Sequence, residues 1–265
     1  MTPLRKISRD QVAALKNWRV WWHLGMADVR NRFAKSFVGP TWILLNLALW
    51  VGGMGIIYGT LFQQPLDTYL PFLTIGFVCW GFLSQTITDG GNAFVFAEGY
   101  IKQFTYPKQI YVLRVIVNAS VPFMIGVLIF LAVVLAMGQP IGPGMLWVLP
   151  GLVLVLLVSY LHALIMAYAS ARFRDLPHGM TALLQVLMFV TPIFFTVETL
   201  AKRGLDFVYK YNPLYYLIDV VRHPLTKLEP APTEVYVVTI LYMLVAALVA
   251  MFVAIRLDRR IVYIL

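Results

Sequence analysis

Few groups in this chain are placed to do chemistry. Its 265 residues hold 12 Asp and Glu, 4 His and a single cysteine. The patterns HExxH, GxSxG and GxxxxGK[ST] are absent. No zinc-binding helix, nucleophile elbow or phosphate-cradling P-loop is therefore expected, and no catalytic or metal site. Cys79 lies in an apolar run, has no partner for an internal disulfide and reads as a packed thiol. What remains is positional chemistry. Arg30, Arg32 and Lys35 sit together in DVRNRFAKSFVGPTW. They serve either a plain anchor or a phosphorylated lipid met at headgroup level. All twelve acids fall at the ends of apolar runs or between them, and Asn46, Asn118, His162 and Gln185 inside the runs are neutral. A proton-coupled carrier usually keeps an ionisable group at mid-depth. Ion coupling by this chain alone is not expected, and His162 reads as a helix-packing residue.

The elements that must position these groups follow from composition. The chain is 60% hydrophobic and 12% charged, with a mean hydropathy of +0.79, against about 25% charged residues in soluble domains. A soluble enzyme, a disulfide scaffold and a disordered chain are excluded. Apolar runs near 41–62, 70–88, 112–137, 145–171, 180–195 and 235–255 give six expected membrane spans in an all-α integral membrane protein. The expected organisation is one transmembrane domain over 1–265. An interfacial helix region occupies 1–36, five spans 37–195, an outer segment 196–232, the sixth span 233–255 and a tail 256–265. No signal peptide is expected, because the first 36 residues lack a continuous apolar core.

Charge supplies orientation. Of 21 Lys and Arg, all but Lys202, Arg203, Lys210, Arg222 and Lys227 fall on the side that holds both termini. The positive-inside rule makes that side cytoplasmic. The +9 net charge is then a topology signal, and no nucleic-acid partner is needed to account for it. In the amino-terminal arm, Leu15, Trp18, Trp22, Met26, Val29 and Phe33 recur at helical spacing, which predicts a basic amphipathic helix lying in the interface. In 196–232 the apolar pieces are too short to cross, and Asn212-Pro213 and His223-Pro224 interrupt them. Two short helices that dip in from the outer face and return are expected, lining protein or a water-filled mouth. Gly55 and Gly59 have the small-residue spacing of closely packed membrane helices, either within the chain or in a homodimer. The connections 90–106 and 172–178 read as partner-facing elements or as solvated loops.

The arm motif, the RFRDL turn, the MFVTPIFF run and above all YNPLYYLIDVVRHP resemble the membrane subunit of ABC-2 type polysaccharide exporters, which include O-antigen, capsule and teichoic acid permeases. The resemblance runs over essentially the whole chain. It implies a homodimer of six-helix subunits in the bacterial inner membrane, joined to two copies of a separately encoded ATP-binding cassette subunit. ATP and Mg would then be held by that partner, with no cofactor in this chain. The cargo it implies is an undecaprenyl-diphosphate-linked polysaccharide, with membrane lipid around it. Carried onto this sequence, Arg30, Arg32 and Lys35 are candidates for the carrier's diphosphate, and Glu98, Tyr100, Arg172 and Asp175 for ATPase coupling. Asn212, Pro213, Tyr215, Tyr216, Asp219 and Arg222 are the gate candidates, and Gly55 and Gly59 would pack the dimer. Rival expectations are an ABC-2 exporter of a small lipid or drug, a membrane enzyme acting on lipid-linked sugars, and a passive channel.

Overall fold

A computed structural model describes residues 3–104, 106–258 and 261–265, and among them every regular element is helical. Arg259 and Arg260, two of the expected tail cations, lie outside the described residues. The chain runs α1 (Pro3–Lys16), α2 (Trp18–Phe33), α3 (Thr41–Leu61), α4 (Leu66–Asn92), α5 (Glu98–Gln103) and α6 (Gln109–Ala136). A 3-10 turn, Pro143–Trp147, leads into α7 (Val148–Arg172). Then come α8 (Leu176–Val190), α9 (Val197–Ala201), α10 (Phe207–Lys210), α11 (Pro213–Lys227), α12 (Thr233–Leu257) and α13 (Ile261–Ile264).

Five of these, α3, α4, α6, α7 with its leading turn, and α12, are long and apolar enough to cross a bilayer. The run expected to make the fifth crossing differs. α8 has 15 residues, a rise of about 22 Å against a hydrocarbon core of about 30 Å. Pro192 is the reason: it drives Thr191 into extended backbone and ends the helix. The apolar run continues as an irregular turn, Thr191 to Phe195, whose first four residues are buried. The segment after it also differs from two short helices. Its main element is α11, which runs through Pro224 to Lys227. The proline removes the donor that Val220's carbonyl would use. Gly151 of α7 packs against that same carbonyl, where a Cβ would not fit.

α4 is the hub of the bundle, packed against α3, α6, α7, α8 and α11. Leu73, Ile75, Cys79 and Leu83 are essentially sealed off. Glycine permits the close crossing of α4 and α7: a Cβ on Gly90 would lie 2.5 Å from the Ala163 Cα of α7. Without an aqueous driving force inside a bilayer, close van der Waals packing of this kind is what holds spans together.

Both termini gather at one end, which the basic arm makes the basic end. The predicted apolar face of the arm is there, with Leu15, Trp18, Trp22 and Met26 exposed to the surroundings. The side turned to the protein is set by other residues. Gly25 seats against Val117, and the Asp28 carboxylate accepts from Arg114 of α6 through Nε at 2.5 Å and Nη2 at 2.6 Å. A second tie is centred on Asp258, just past α12. Its carboxylate accepts from Lys6 of α1 at 2.8 Å, Lys108 at 2.8 Å and the Tyr168 hydroxyl at 3.0 Å. Burial pushes this carboxyl upward. The hydrogen bonds from Lys108 and Lys6 outweigh burial and hold it below the usual carboxylate range.

Candidate functional site

The most enclosed of the candidate spans, α4, has one uncovered stripe along its inner half, and that stripe is mostly polar. On α4, Phe77, Gly81, Ser84, Gln85, Thr88, Asp89 and Asn92 are the positions left accessible along the inner half, recurring at helical spacing. α3 and α8 both pack against α4. Together with Arg32 of α2 and Thr181 and Gln185 of α8, Ser84, Gln85, Thr88 and Asp89 of the stripe line a groove of about 400 Å³. A second hollow of about 330 Å³ shares Arg32 and Gln85 with it and adds Trp42, Asn46, Phe77 and Gly81. Unpaired polar groups facing hydrocarbon cost several kcal/mol each. Such a stripe is stable where it meets water, another polar surface or a polar cargo.

The groove's chemistry is neutral apart from one pair at its basic end, where Arg32 approaches Asp89 at 3.7 Å. Ser84, Thr88 and Thr181 donate their hydroxyl protons back to Trp80, Ser84 and Pro177 of their own helices. Their oxygens keep lone pairs free to accept. Gln85 donates to Asp89 at 3.1 Å. The result is a row of weak acceptors and amides beside Trp42, Phe77 and Trp80, a surface suited to polyhydroxylated molecules with apolar ring faces.

At the far end, two motifs that looked separate in the sequence form one unit. Asn212 caps α11 by accepting from the Leu214 amide at 3.0 Å, and its side-chain amide donates to Thr191 at 2.9 Å. Arg222, 2% exposed, donates to the Pro192 carbonyl at 2.7 Å and to Asp219 at 3.1 Å. Its guanidinium also stacks 4.1 Å from the ring centre of Phe72. The Tyr69 hydroxyl donates to the Phe194 carbonyl. The turn that breaks α8 leaves its carbonyls unpaired, and α11 and α4 satisfy them. Tyr215 and Tyr216 are buried, with Tyr216 donating to the Lys210 carbonyl at 3.1 Å, and Pro213 opens α11.

At the basic end, Glu98 starts α5 and pairs with Lys102 at 2.7 Å and with Arg174 at 3.7 Å. The Lys102 hydrogen bond holds the Glu98 carboxyl below its ordinary range. The two connections expected to face a partner therefore touch each other, through Arg174. Arg172 and Asp175 are exposed, and among the described residues neither makes an ion pair. Phe96, Tyr100, Phe104 and Phe173 stand out from this face.

The remaining candidates are scattered. Arg30 and Lys35 are exposed on the arm, and of the three cations there only Arg32 reaches the groove. Gly55 and Gly59 pack on Leu70 and Leu66 of α4 in the same chain. Ser84, Gln85, Thr88, Thr181 and Arg174 were not singled out by the sequence. The signal for the α4 residues was present as polar side chains at helical spacing in an otherwise apolar run.

The family model for ABC-2 type transporters matches residues 19–226. The O-antigen export system permease protein RfbA of Myxococcus xanthus is 24% identical over 194 residues, covering 72% of this chain and 74% of that protein. The match spans the arm, the α4 stripe and the clamped far end alike, and the chain is a multi-pass membrane protein that belongs to the ABC-2 type transporter family.

Proposed function

We propose that this chain is the permease subunit of an ATP-driven exporter of a lipid-linked polysaccharide, with undecaprenyl-diphosphate-linked O-antigen the leading cargo. The observation that carries the proposal is the polar stripe of α4, an accessible row of hydroxyls and amides with aromatic neighbours on the most buried of the candidate spans. The name of the Myxococcus relative supports the same cargo class. Two copies, each turning its stripe to the other, would enclose a conduit whose walls bond sugar hydroxyls weakly and repeatedly. Weak contacts let a polymer slide. The carrier's diphosphate would sit at the basic end against Arg32, with Arg30 and Lys35 adding positive potential.

The engine in this proposal is a pair of separately encoded ATP-binding subunits docked on the basic end, which is cytoplasmic. Tyr100, Phe96 and Phe173 supply the apolar part of that contact. The Glu98–Arg174 pair joins α5 to the start of α8, so force applied at one connection reaches the other. At the far end, α11 and the Thr191 to Phe195 turn form the outer gate. The testing experiment replaces Ser84, Gln85 and Thr88 together with leucine. Expression and co-purification with the ATP-binding subunit are expected to persist, while surface polysaccharide is lost. Normal export by that variant removes the stripe from the path.

A further inference from the structure

A pocket at the end opposite the basic arm carries its own chemistry, and it shares no residue with the groove. Its volume is about 390 Å³, within the range of small-molecule sites. The α3–α4 turn, the start of α4, the chain just past α6, α9 and the last turn of α11 meet around it. Lys202 and Lys227 both line it, one from the end of α9 and the other as the last residue of α11. A membrane protein oriented by its cations carries few of them on the outer side, where Lys202, Arg203, Lys210, Arg222 and Lys227 alone are expected. Two of those converge here. Glu198 lines the pocket as well, and among the described residues none of the three makes an ion pair. The hydroxyls add acceptors. Thr68 and Thr226 donate their protons to the carbonyls of Pro65 and Arg222, at 3.1 and 3.0 Å, so their oxygens are left to accept. Gln139 contributes an amide that can do both.

We infer that this pocket binds a sugar residue bearing one carboxylate, as a uronic acid does. The carboxylate meets Lys202 and Lys227, while the ring hydroxyls donate to Glu198, Thr68 and Thr226 and accept from Gln139. Simpler occupants leave part of the lining unused. A bare carboxylate answers the lysines but is repelled by Glu198 and brings no protons to the threonine oxygens. A neutral sugar answers the oxygens and leaves two cations without a counter-ion. Hydrogen bonds from lysine to a carboxylate are roughly twice as strong as neutral ones, so the acidic group sets the preference. The position adds a consequence. Phe72 forms part of the wall, and its ring also carries the Arg222 guanidinium at 4.1 Å. Leu225 and Thr226 of α11 form another part. The occupant therefore touches both sides of the far-end clamp and braces it. That this sugar is a unit of the exported polymer rests on the proposed function; the binding chemistry does not.

The test titrates the purified full chain in lipid nanodiscs with methyl glucuronide, methyl glucoside, acetate and glycerophosphoethanolamine, read by saturation-transfer NMR against empty nanodiscs. The glucuronide should bind about tenfold more tightly than the glucoside, the worth of roughly one hydrogen bond to a charged group. It should also bind more tightly than acetate, which has the charge without the hydroxyls. Replacing both exposed lysines, Lys202→Gln with Lys227→Gln, should bring the glucuronide down to the glucoside's level and leave the glucoside unchanged, which also shows that the variant is folded. Equal binding of the two sugars, or a preference that survives loss of both lysines, overturns the inference. So does acetate matching the glucuronide, which makes this a plain anion site, or glycerophosphoethanolamine matching it, which makes it a lipid headgroup site. Export plays no part in the measurement. Failure here leaves the groove's cargo standing, and normal export by the leucine variant of the stripe leaves this site standing.

Discussion

Arg222→Met isolates the far-end clamp. The substitution keeps length and apolar volume but removes the donor to Pro192, the counter-ion of Asp219 and the cation over Phe72. Asp219 is 8% exposed, so its carboxylate would be left buried beside an unpaired carbonyl. Breaking one half of a buried pair costs about 3–5 kcal/mol. At roughly 2–4 °C per kcal/mol for chains of this size, the unfolding midpoint should fall by about 6–20 °C. The chain provides its own reporter. Cys79 is its single thiol and is 1% exposed, so a thiol-activated dye fluoresces only when α4 opens. Adding Asp219→Asn should return much of the loss, since replacing both charges removes the stranded ion. A single variant within 2 °C of wild type, or a double variant less stable than either single one, refutes the reasoning.

Other expectations concern the basic end and the hub. Asp258→Asn should release α1 from the bundle, seen as rapid protease cleavage near Lys6 in otherwise folded protein. In the unaltered chain the same contact should be fully present above about pH 4, the ordinary range of the carboxyl, because the folded group is held lower still. It should be lost only as pH falls through that lowered value, and α1 release on mild acidification to pH 5 would contradict the assignment. Arg174→Glu sets like charges against Glu98. It should leave the ATP-binding subunit bound and hydrolysing while export falls, and coordinated loss of binding would show the pair to be a docking contact instead. Gly90→Val drives side-chain atoms into Ala163. Overpacking there should cost about 1–3 kcal/mol or more, which the Cys79 dye assay reads directly.

Much of this arrangement was legible before any coordinates. Long apolar runs gave the spans, because a bilayer demands length and hydrophobicity that few other folds share. The arm's face from Leu15 to Met26 was legible for the same reason, being set by local periodicity. The shortness of α8 was less so: hydropathy registers Ile193 to Phe195 as more of the same run, while Pro192 changes the backbone without changing the average. Pairings distant in sequence were not legible. Nothing in YNPLYYLIDVVRHP says that its Arg222 will find the Pro192 carbonyl thirty residues earlier, or that Lys6 will meet Asp258. The groove was half visible. Ser84, Gln85, Thr88 and Asp89 are plainly polar, but only packing on all other sides of α4 reveals that they share the accessible strip.

The clamp between the broken end of α8 and α11 also constrains movement. α8 contributes Thr181 and Gln185 to one wall of the groove, and its last residues are stapled to α11 through Thr191 and Pro192. Sideways displacement of α8 near the basic end is therefore carried, as by a lever arm, to the opposite face. Under the proposed function, a cargo broad enough to push that wall aside would thereby unlatch the proposed gate.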